Sequence, residues 1–138
     1  MISKSFLKNW VAVFITLLVM DVVWHKLIFG WFYNQYFTGV ARYVGGEFLP
    51  LVEFIVIADI LVAYGFAYIV KGLSQANGKW LVNGLLFGLI VNGAYTIYGY
   101  AIIPGWQPAM VVLDIITGAV FGAVLGMLLK KLSGAKKK

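Results

Sequence analysis

Apolar residues fill four long stretches of the chain, and short polar or aromatic segments separate them. The stretches cover about residues 7–29, 48–70, 80–103 and 107–129. A hydrocarbon core about 30 Å thick requires roughly 20 apolar residues in a helix that crosses it. The pattern therefore predicts an all-α integral membrane protein, a four-helix bundle whose spans form a single transmembrane domain over residues 1–138.

The links between the predicted spans indicate antiparallel neighbours. Spans two and three are joined by a polar turn at 71–79, and spans three and four by residues 104–107. Pro104 and Gly105 in the second link stop the preceding helix. Such short links leave adjacent helices side by side as hairpins.

The remaining connection, residues 30–47, is rich in aromatic residues. Tyr33, Tyr36, Phe37 and Val40 follow a helical spacing within it. We expect a short interfacial helix between spans one and two that continues until Gly45–Gly46 ends it. An aromatic belt that anchors the protein explains this segment better than a lid over a substrate site.

The amino-acid composition mainly excludes classes of protein and kinds of site. The chain is 62% hydrophobic and 12% charged, about half the charge of a soluble domain. It contains no cysteine and one histidine, which excludes disulfides, thiolate metal sites and any multi-histidine centre within one chain. We predict no cofactor.

The basic residues lie at the ends of the spans rather than along one face. Nine of them fall on one side, namely Lys4, Lys8, Lys71, Lys79, Lys130, Lys131, Lys136, Lys137 and Lys138, whereas Lys26 and Arg42 fall on the other. This asymmetry predicts that both termini are cytoplasmic, in a prokaryotic plasma membrane, with anionic lipid as the partner of the basic side. It gives no support to nucleic-acid binding.

Four of the five acidic residues lie inside predicted spans: Asp21, Glu53, Asp59 and Asp114. A charge near the middle of a bilayer costs on the order of 3 kcal/mol, so these side chains should face the protein interior or water. Counted from the outer ends of the predicted spans, Asp21, Glu53 and Asp114 share one depth. We therefore place Glu53 in a cluster with the other two and leave the role of Asp59 open.

Small residues predict how the spans pack. Gly84 and Gly88 in span three and Gly118, Gly122 and Gly126 in span four recur every fourth residue, which allows two membrane helices to approach closely. Antiparallel packing would then bring Asn92, Tyr95 and Thr96 level with Asp114. On span one, an inward stripe is expected through Asp21, Trp24, His25 and Ile28.

Three carboxyl groups at one depth cannot all remain ionised in an apolar setting. Some of them could be protonated and donate hydrogen bonds, or a cation could lie among them. Asp21 and His25, four residues apart, would also offer two metal ligands, completed by Glu53 or Asp114. A purely structural hydrogen-bond network between helices is the remaining alternative.

These residues favour a transport-like protein linked to protons or cations, with Asp21, His25, Glu53 and Asp114 as its site and with a homo-oligomer as its working form. The alternative is a non-catalytic accessory or scaffold subunit of a larger membrane complex. A lipid-modifying or quinone-related enzyme ranks last because no nucleophile constellation, nucleotide motif or redox-ligand set is present.

Several motifs resemble the small four-span membrane proteins of the DUF2177 family. They are the D-x-x-W of Asp21 and Trp24 followed by the aromatic pair 32–33, the G-x-x-F-G stretch that leads from Gly84 to Tyr95, the turn with Trp106 and Pro108, and Asp114 with Gly118. The chain departs from that pattern at Thr96, where an acid is typical, and at His25, where leucine is typical. The resemblance implies the four-span fold and marks these positions without naming an activity.

Overall fold

The computed structural model describes residues 3–37, 39–40, 42–44, 47–48 and 51–134. Four of its helices are long and apolar enough to cross a membrane, which confirms the predicted number of spans. We number them helix 1 (Lys4–Ile28), helix 2 (Val52–Asn77), helix 3 (Trp80–Ile102) and helix 4 (Pro108–Leu132). The end of the bundle that carries residues 4–8 is called the terminal side, and the opposite end the loop side.

Between helices 1 and 2 the chain forms a loop helix, Gly30–Tyr36, followed by two antiparallel strands of two residues each, Tyr43–Val44 and Glu47–Phe48. The loop helix is shorter than the helix we predicted: it ends at Tyr36, and the backbone N–H of Phe37 makes its last bond, to the Tyr33 carbonyl. Gly45 and Gly46, the predicted end, lie outside the described residues. The position of the loop helix in a membrane interface stays a prediction.

Helix 2 differs from the prediction at both ends. It begins at Val52 rather than near 48, and it continues through Lys71–Asn77, where we predicted a polar turn. The polar residues of this last part are satisfied by helix 3, since Asn83 donates its Nδ2 hydrogen to Ser74 Oγ at 2.9 Å. The turn itself is limited to two residues, with Gly78 at φ +74° in the left-handed conformation that commonly ends helices.

Helices 3 and 4 are in direct backbone contact. A methyl group added at Gly84 would overlap the Gly122 carbonyl oxygen, and one added at Gly88 would overlap that of Gly118. Glycine at these positions removes the side chains that would otherwise hold two helix axes apart. This glycine seam runs antiparallel along the terminal half of the hairpin and fixes the register of helix 4 against helix 3.

Helices 1 and 2 pack against this hairpin through larger side chains. The buried core contains Val13, Leu17, Phe66 and Trp80, together with leucines of helix 4. The ring of Phe66 meets Phe87 of helix 3 edge to face, with ring centroids 4.7 Å apart. Between helices 1 and 2, Trp10 Nε1 donates to the Ile60 carbonyl at 3.1 Å.

Helices 1 and 2 each contain a π-helical segment, Val22–Ile28 and Phe66–Val70. The backbone N–H of Phe29, for example, bonds to the Trp24 carbonyl, five residues earlier, at 2.8 Å. Each turn of such a segment holds an additional residue, so side chains beyond it face a different direction than α-helical counting predicts. Such segments often lie at functional sites, and the first one begins directly after Asp21.

Candidate carboxylate site

Two carboxyl groups from different helices meet in the loop half of the bundle. The side chains of Asp21 on helix 1 and Asp59 on helix 2 lie within hydrogen-bonding reach of each other. Asp59 is 7% exposed, and no donor among the described residues reaches its buried Oδ2 atom. Ionised carboxylates only accept hydrogen bonds, so a bond between these two groups requires that one of them carries a proton. Two carboxyl groups close together in an apolar setting thus favour a state in which one of them is protonated.

The partner of Asp21 is thus Asp59, not Glu53 as we predicted. Glu53 lies in the first turn of helix 2 and is exposed. The prediction was wrong because helix 2 begins at Val52, four residues later than expected. That start puts Asp59 seven residues from the loop-side end of helix 2, and Asp21 lies seven residues from the loop-side end of helix 1. At a rise of about 1.5 Å per residue, both lie roughly 10 Å deep.

His25 lies between this pair and the loop-side surface. Its Nδ1 atom is 3.5 Å from Asp21 Oδ1 and 3.1 Å from the Asp21 carbonyl oxygen. The side chain of His25 is 43% exposed, whereas that of Asp21 is 24% exposed. Among the described residues this is the only contact within 4 Å between a basic and an acidic side chain, and it is an ion pair only when His25 is protonated. The groups become more buried in the order His25, Asp21, Asp59.

The predicted inward stripe on helix 1 holds only in part. Trp24 points inward, with its ring 5.7 Å from that of Phe121 on helix 4, and its buried Nε1 has no hydrogen-bond partner among the described residues. His25 and Ile28, by contrast, are exposed. The π-helical segment after Asp21 turns Ile28, seven residues further on, away from the face of Asp21, whereas His25 remains beside Asp21 at the more exposed end.

Asp114 occupies a second polar position in the loop half, on helix 4. It is buried, and the hydroxyl of Thr96 on helix 3 lies near its carboxyl group. Thr96 in turn accepts a bond from Trp106 Nε1 at 3.3 Å. Asn92 reaches the backbone of helix 4 rather than the carboxyl group, through Nδ2 and the Asp114 carbonyl oxygen at 3.4 Å. This arrangement joins helices 3 and 4 above the glycine seam.

Tyr95, expected as a partner of Asp114, turns outward and is 63% exposed. Its ring instead packs edge to face against Trp106, with centroids 5.7 Å apart. Helix 3 uses its inward face at this level for Thr96, which is fully buried. Since adjacent residues on a helix point about 100° apart, Tyr95 cannot face the same interior point.

The loop helix covers this part of the bundle. Tyr33 packs on His25 with ring centroids 4.9 Å apart, and its neighbour Phe37 packs on Trp106 at 5.7 Å. The Tyr33 hydroxyl is buried with no partner among the described residues. Burial raises the pKa of Tyr33 above its ordinary value, and the nearby carboxyl groups of Asp114 and Asp21 raise it further. A neutral phenol thus lies close to both acidic positions.

A small cavity lies one helical turn further into the bundle. Its volume is about 30 Å³, and its lining includes Leu17, Val62, Asn92 and Gly118. These four residues are three or four positions from Asp21, Asp59, Thr96 and Asp114, respectively, so the cavity lies directly beneath the acidic layer. A cavity of this size holds about one water molecule, and Asn92 supplies its polar side chain.

A metal centre built on Asp21, His25 and Glu53 is not assembled. Glu53 is exposed in the first turn of helix 2, whereas Asp21 lies seven residues from the loop-side end of helix 1. Across the described ranges, no group of three or more histidine, aspartate or glutamate side chains is arranged to hold a metal ion. The contacts of the acidic residues are instead with each other, with Thr96 and with His25.

Most of the chain matches a known protein family. The sequence profile of the family described as "Predicted membrane protein (DUF2177)" matches residues 6–129. The chain belongs to the DUF2177 family. The match includes all four helices and the acidic residues described above, and it confirms the resemblance seen in the sequence. No curated protein and no solved structure matches the chain.

Three residues of this site were not predicted as such. The role of Asp59 was left open, and the feature that decides it is the later start of helix 2 at Val52. Tyr33 and Trp106 were interpreted as belt and turn residues. Aromatic residues near membrane interfaces usually serve as anchors, so sequence alone gave no reason to place these two over the acidic layer.

Proposed function

We propose that this DUF2177 protein is a transport-like membrane protein linked to protons, and that the Asp21–Asp59 pair is its proton-binding site. The observation that carries the proposal is the continuous series of hydrogen-bonding groups from exposed His25 to Asp21 and on to buried Asp59. Histidine is the side chain whose charge changes most readily near neutral pH, which suits it to exchange protons with water.

The size of the site favours a proton over a metal cation or an organic cargo. A bound Ca²⁺ requires six to eight oxygen ligands, and Mg²⁺ a nearly ideal octahedron, whereas only two carboxyl groups meet here. The adjoining cavity of about 30 Å³ is too small for an organic molecule. A shared proton needs no further ligand and removes one of two negative charges from an apolar setting.

Orientation and assembly complete the proposal. The positive-inside rule favours cytoplasmic termini in a prokaryotic plasma membrane, so the His25 end would face outward. The opposite end of the interior is filled by buried side chains such as Val13, Val70, Leu125 and Leu129. Proton exchange with the second side then requires movement of helices 1 and 2 or contact with a second copy, which is why we propose a homo-oligomer.

Proton flux into liposomes tests this function. Purified protein is reconstituted with a pH-sensitive dye inside, and a potassium diffusion potential is applied with valinomycin. We expect dye acidification that Asp21→Asn and Asp59→Asn reduce at least tenfold, since an amide cannot carry the proton. His25→Gln should slow the flux while leaving its final extent unchanged.

The matched control is Glu53→Gln, which removes an acid of the same helix that lies outside the pair. It should retain flux close to that of the unmodified protein. Size-exclusion profiles show whether each variant is folded, because asparagine keeps the shape of aspartate. The assignment would be refuted if the folded Asp59→Asn variant retained proton flux. It would also be refuted if Glu53→Gln abolished the flux.

An accessory or scaffold subunit is the second candidate. It is supported by the small volume of the cavity beneath the acidic layer, which holds about one water molecule. In this case the acids only join helices, and purified protein should give no flux. Isolation from native membranes in mild detergent should then yield a larger complex with a constant set of other membrane proteins, whereas the transport-like function predicts only copies of this chain.

A further inference from the structure

A groove opens on the side of the bundle between the terminal half of helix 1 and Ile60 of helix 2. It is lined by Trp10, Val11, Phe14 and Ile60 and has a volume of about 220 Å³. The only polar side-chain atom in this lining, Trp10 Nε1, is already bonded to the Ile60 carbonyl. The groove therefore offers apolar surface alone, and Ile60, at its inner end, is adjacent in sequence to Asp59 of the acidic layer.

Lysines lie at the terminal end of this groove. Lys4, Lys8 and Val11 are spaced by four and three residues, which places them on one face of helix 1. Lysine side chains on a helix lean toward its N-terminus, here toward the membrane surface. From helix 2, Lys71 reaches across to helix 1, with its Nζ 3.4 Å from Ser5 Oγ. Three ammonium groups thus share one end of the groove.

These ammonium groups have no acidic neighbour in the sequence around them. The five acids of the chain are at positions 21, 47, 53, 59 and 114, all in the loop half or the loop. Among the described residues, none of the three lysines forms an ion pair. Their charge is therefore left for an external anion at the surface of the membrane.

We propose that the groove and its lysines bind one anionic phospholipid of the leaflet on the terminal side. One acyl chain fills the groove beside Val11 and Phe14, and the phosphate lies against Lys8 and Lys71, with Lys4 at its outer edge. About seven residues of helix separate Lys4 from Val11, a rise of roughly 10 Å. A phospholipid spans such a step from charged head to apolar chain.

The volume of the groove separates an acyl chain from a partner helix. A helix about 10 Å wide that rises 1.5 Å per residue occupies roughly 120 Å³ for each residue. A groove of about 220 Å³ would therefore hold less than two residues of helix. A hydrocarbon chain is narrower than a helix and flexible, so it can lie along the same groove.

Native mass spectrometry tests the proposal with two lipids of identical acyl chains, phosphatidylglycerol and phosphatidylcholine. Protein released from detergent should retain one phosphatidylglycerol in preference to phosphatidylcholine. Lys8→Gln combined with Lys71→Gln should weaken that retention about tenfold or more, since each lysine near anionic lipid contributes on the order of 1 kcal/mol.

The matched control is Lys130→Gln combined with Lys131→Gln, which removes the same charge at the same side of the bundle but on helix 4. It should change retention less than threefold. An equal loss in both double variants would refute a defined site and would indicate general attraction of anionic lipid to the basic side.

A second pair of variants tests the apolar part. Val11→Trp fills the groove and should reduce retention of phosphatidylglycerol, whereas Val112→Trp, an equal change at an exposed position of helix 4, should not. Unchanged retention in Val11→Trp would refute the groove as the binding site. If Val11→Trp instead dissociates a dimer and leaves lipid retention unchanged, the groove belongs to an interface between copies and the proposal fails.

Discussion

Helices 3 and 4 meet backbone to backbone through glycines, whereas helices 1 and 2 meet through aromatic rings and a pair of carboxyl groups. The first hairpin is α-helical throughout, and each methyl group added to its seam would overlap a carbonyl oxygen. The second contains both π-helical segments and a lateral groove. Helices 3 and 4 are therefore closely packed against each other, whereas helices 1 and 2 have space in which their packing can change.

The difference also separates the two acidic positions. Asp114 belongs to the closely packed half and has a hydrogen-bond donor, the Thr96 hydroxyl, near its carboxyl group. Asp59 belongs to the other half, and its buried Oδ2 has no donor among the described residues. A proton that comes and goes is more consistent with the second setting. We accordingly expect movement, if transport requires it, in helices 1 and 2 against a fixed hairpin of helices 3 and 4.

The largest effect is expected from the glycine seam. Gly88→Ala places a methyl group against the Gly118 carbonyl oxygen and should destabilise the protein by about 1–3 kcal/mol, as overpacking does. Gly72→Ala is the control, since nothing lies within 4 Å of its added methyl group. There the higher helix propensity of alanine should leave stability equal or higher. Unfolding by sodium dodecyl sulfate in mixed micelles measures both, and equal losses would contradict the comparison.

The pairing of the two acids gives the next effect. A double-mutant cycle of Asp21→Ala and Asp59→Ala should give a coupling energy of about 0.5–3 kcal/mol in the same unfolding measurement, because the two side chains are in contact. The cycle of Asp21→Ala with Glu53→Ala should give less than about 0.5 kcal/mol. Similar couplings in both cycles would indicate that the pair does not exist as described.

A smaller effect is expected from the hydrogen bond between Trp106 and Thr96, which connects the loop side to helix 3. Trp106→Phe removes the Nε1 donor to Thr96 but keeps an aromatic ring against Phe37. The loss of one buried hydrogen bond should lower stability by about 0.5–1.5 kcal/mol. Trp31→Phe, the same change at an exposed position, should have no measurable effect. A loss in Trp31→Phe of similar size would show that the cost comes from the change of ring alone.

The smallest effect is spectroscopic and concerns Tyr33. Because burial raises its pKa, the phenol remains neutral in the folded protein at about pH 11, above the ordinary tyrosine value of about 10. The stability gained from the neutral phenol is complete below that ordinary value and is lost as the pH rises through the raised one. Tyr33→Phe should leave the phenolate absorbance of the folded protein at about pH 11 unchanged.

In denaturant at the same pH, Tyr33→Phe should remove one of eight tyrosine signals. This second measurement shows that the assay detects a single tyrosine. A decrease of similar size in the folded protein would mean that Tyr33 is open to water and that the loop helix does not cover the acidic layer.

Sequence reasoning was accurate where a single helix decides the outcome. The number of membrane helices followed from the lengths of apolar stretches, and the glycines at 84, 88, 118, 122 and 126 drew attention to the line where helices 3 and 4 are in contact. It failed where a small shift in one element changes its partners. Because helix 2 begins late, Asp59 rather than Glu53 lies at the depth of Asp21, and the π-helical segment turns Ile28 away from the face of Asp21.

The sequence by itself determined that this DUF2177 protein has four candidate membrane helices and that acids lie within them. Hydropathy suffices for this because a helix in lipid satisfies its own backbone hydrogen bonds and needs no partner to do so. Only the tertiary structure decided which acids meet, that Tyr33 covers them and that Tyr95 does not. Those contacts depend on where each helix begins and how tightly it is wound, and a shift of one residue rotates a side chain by about 100°.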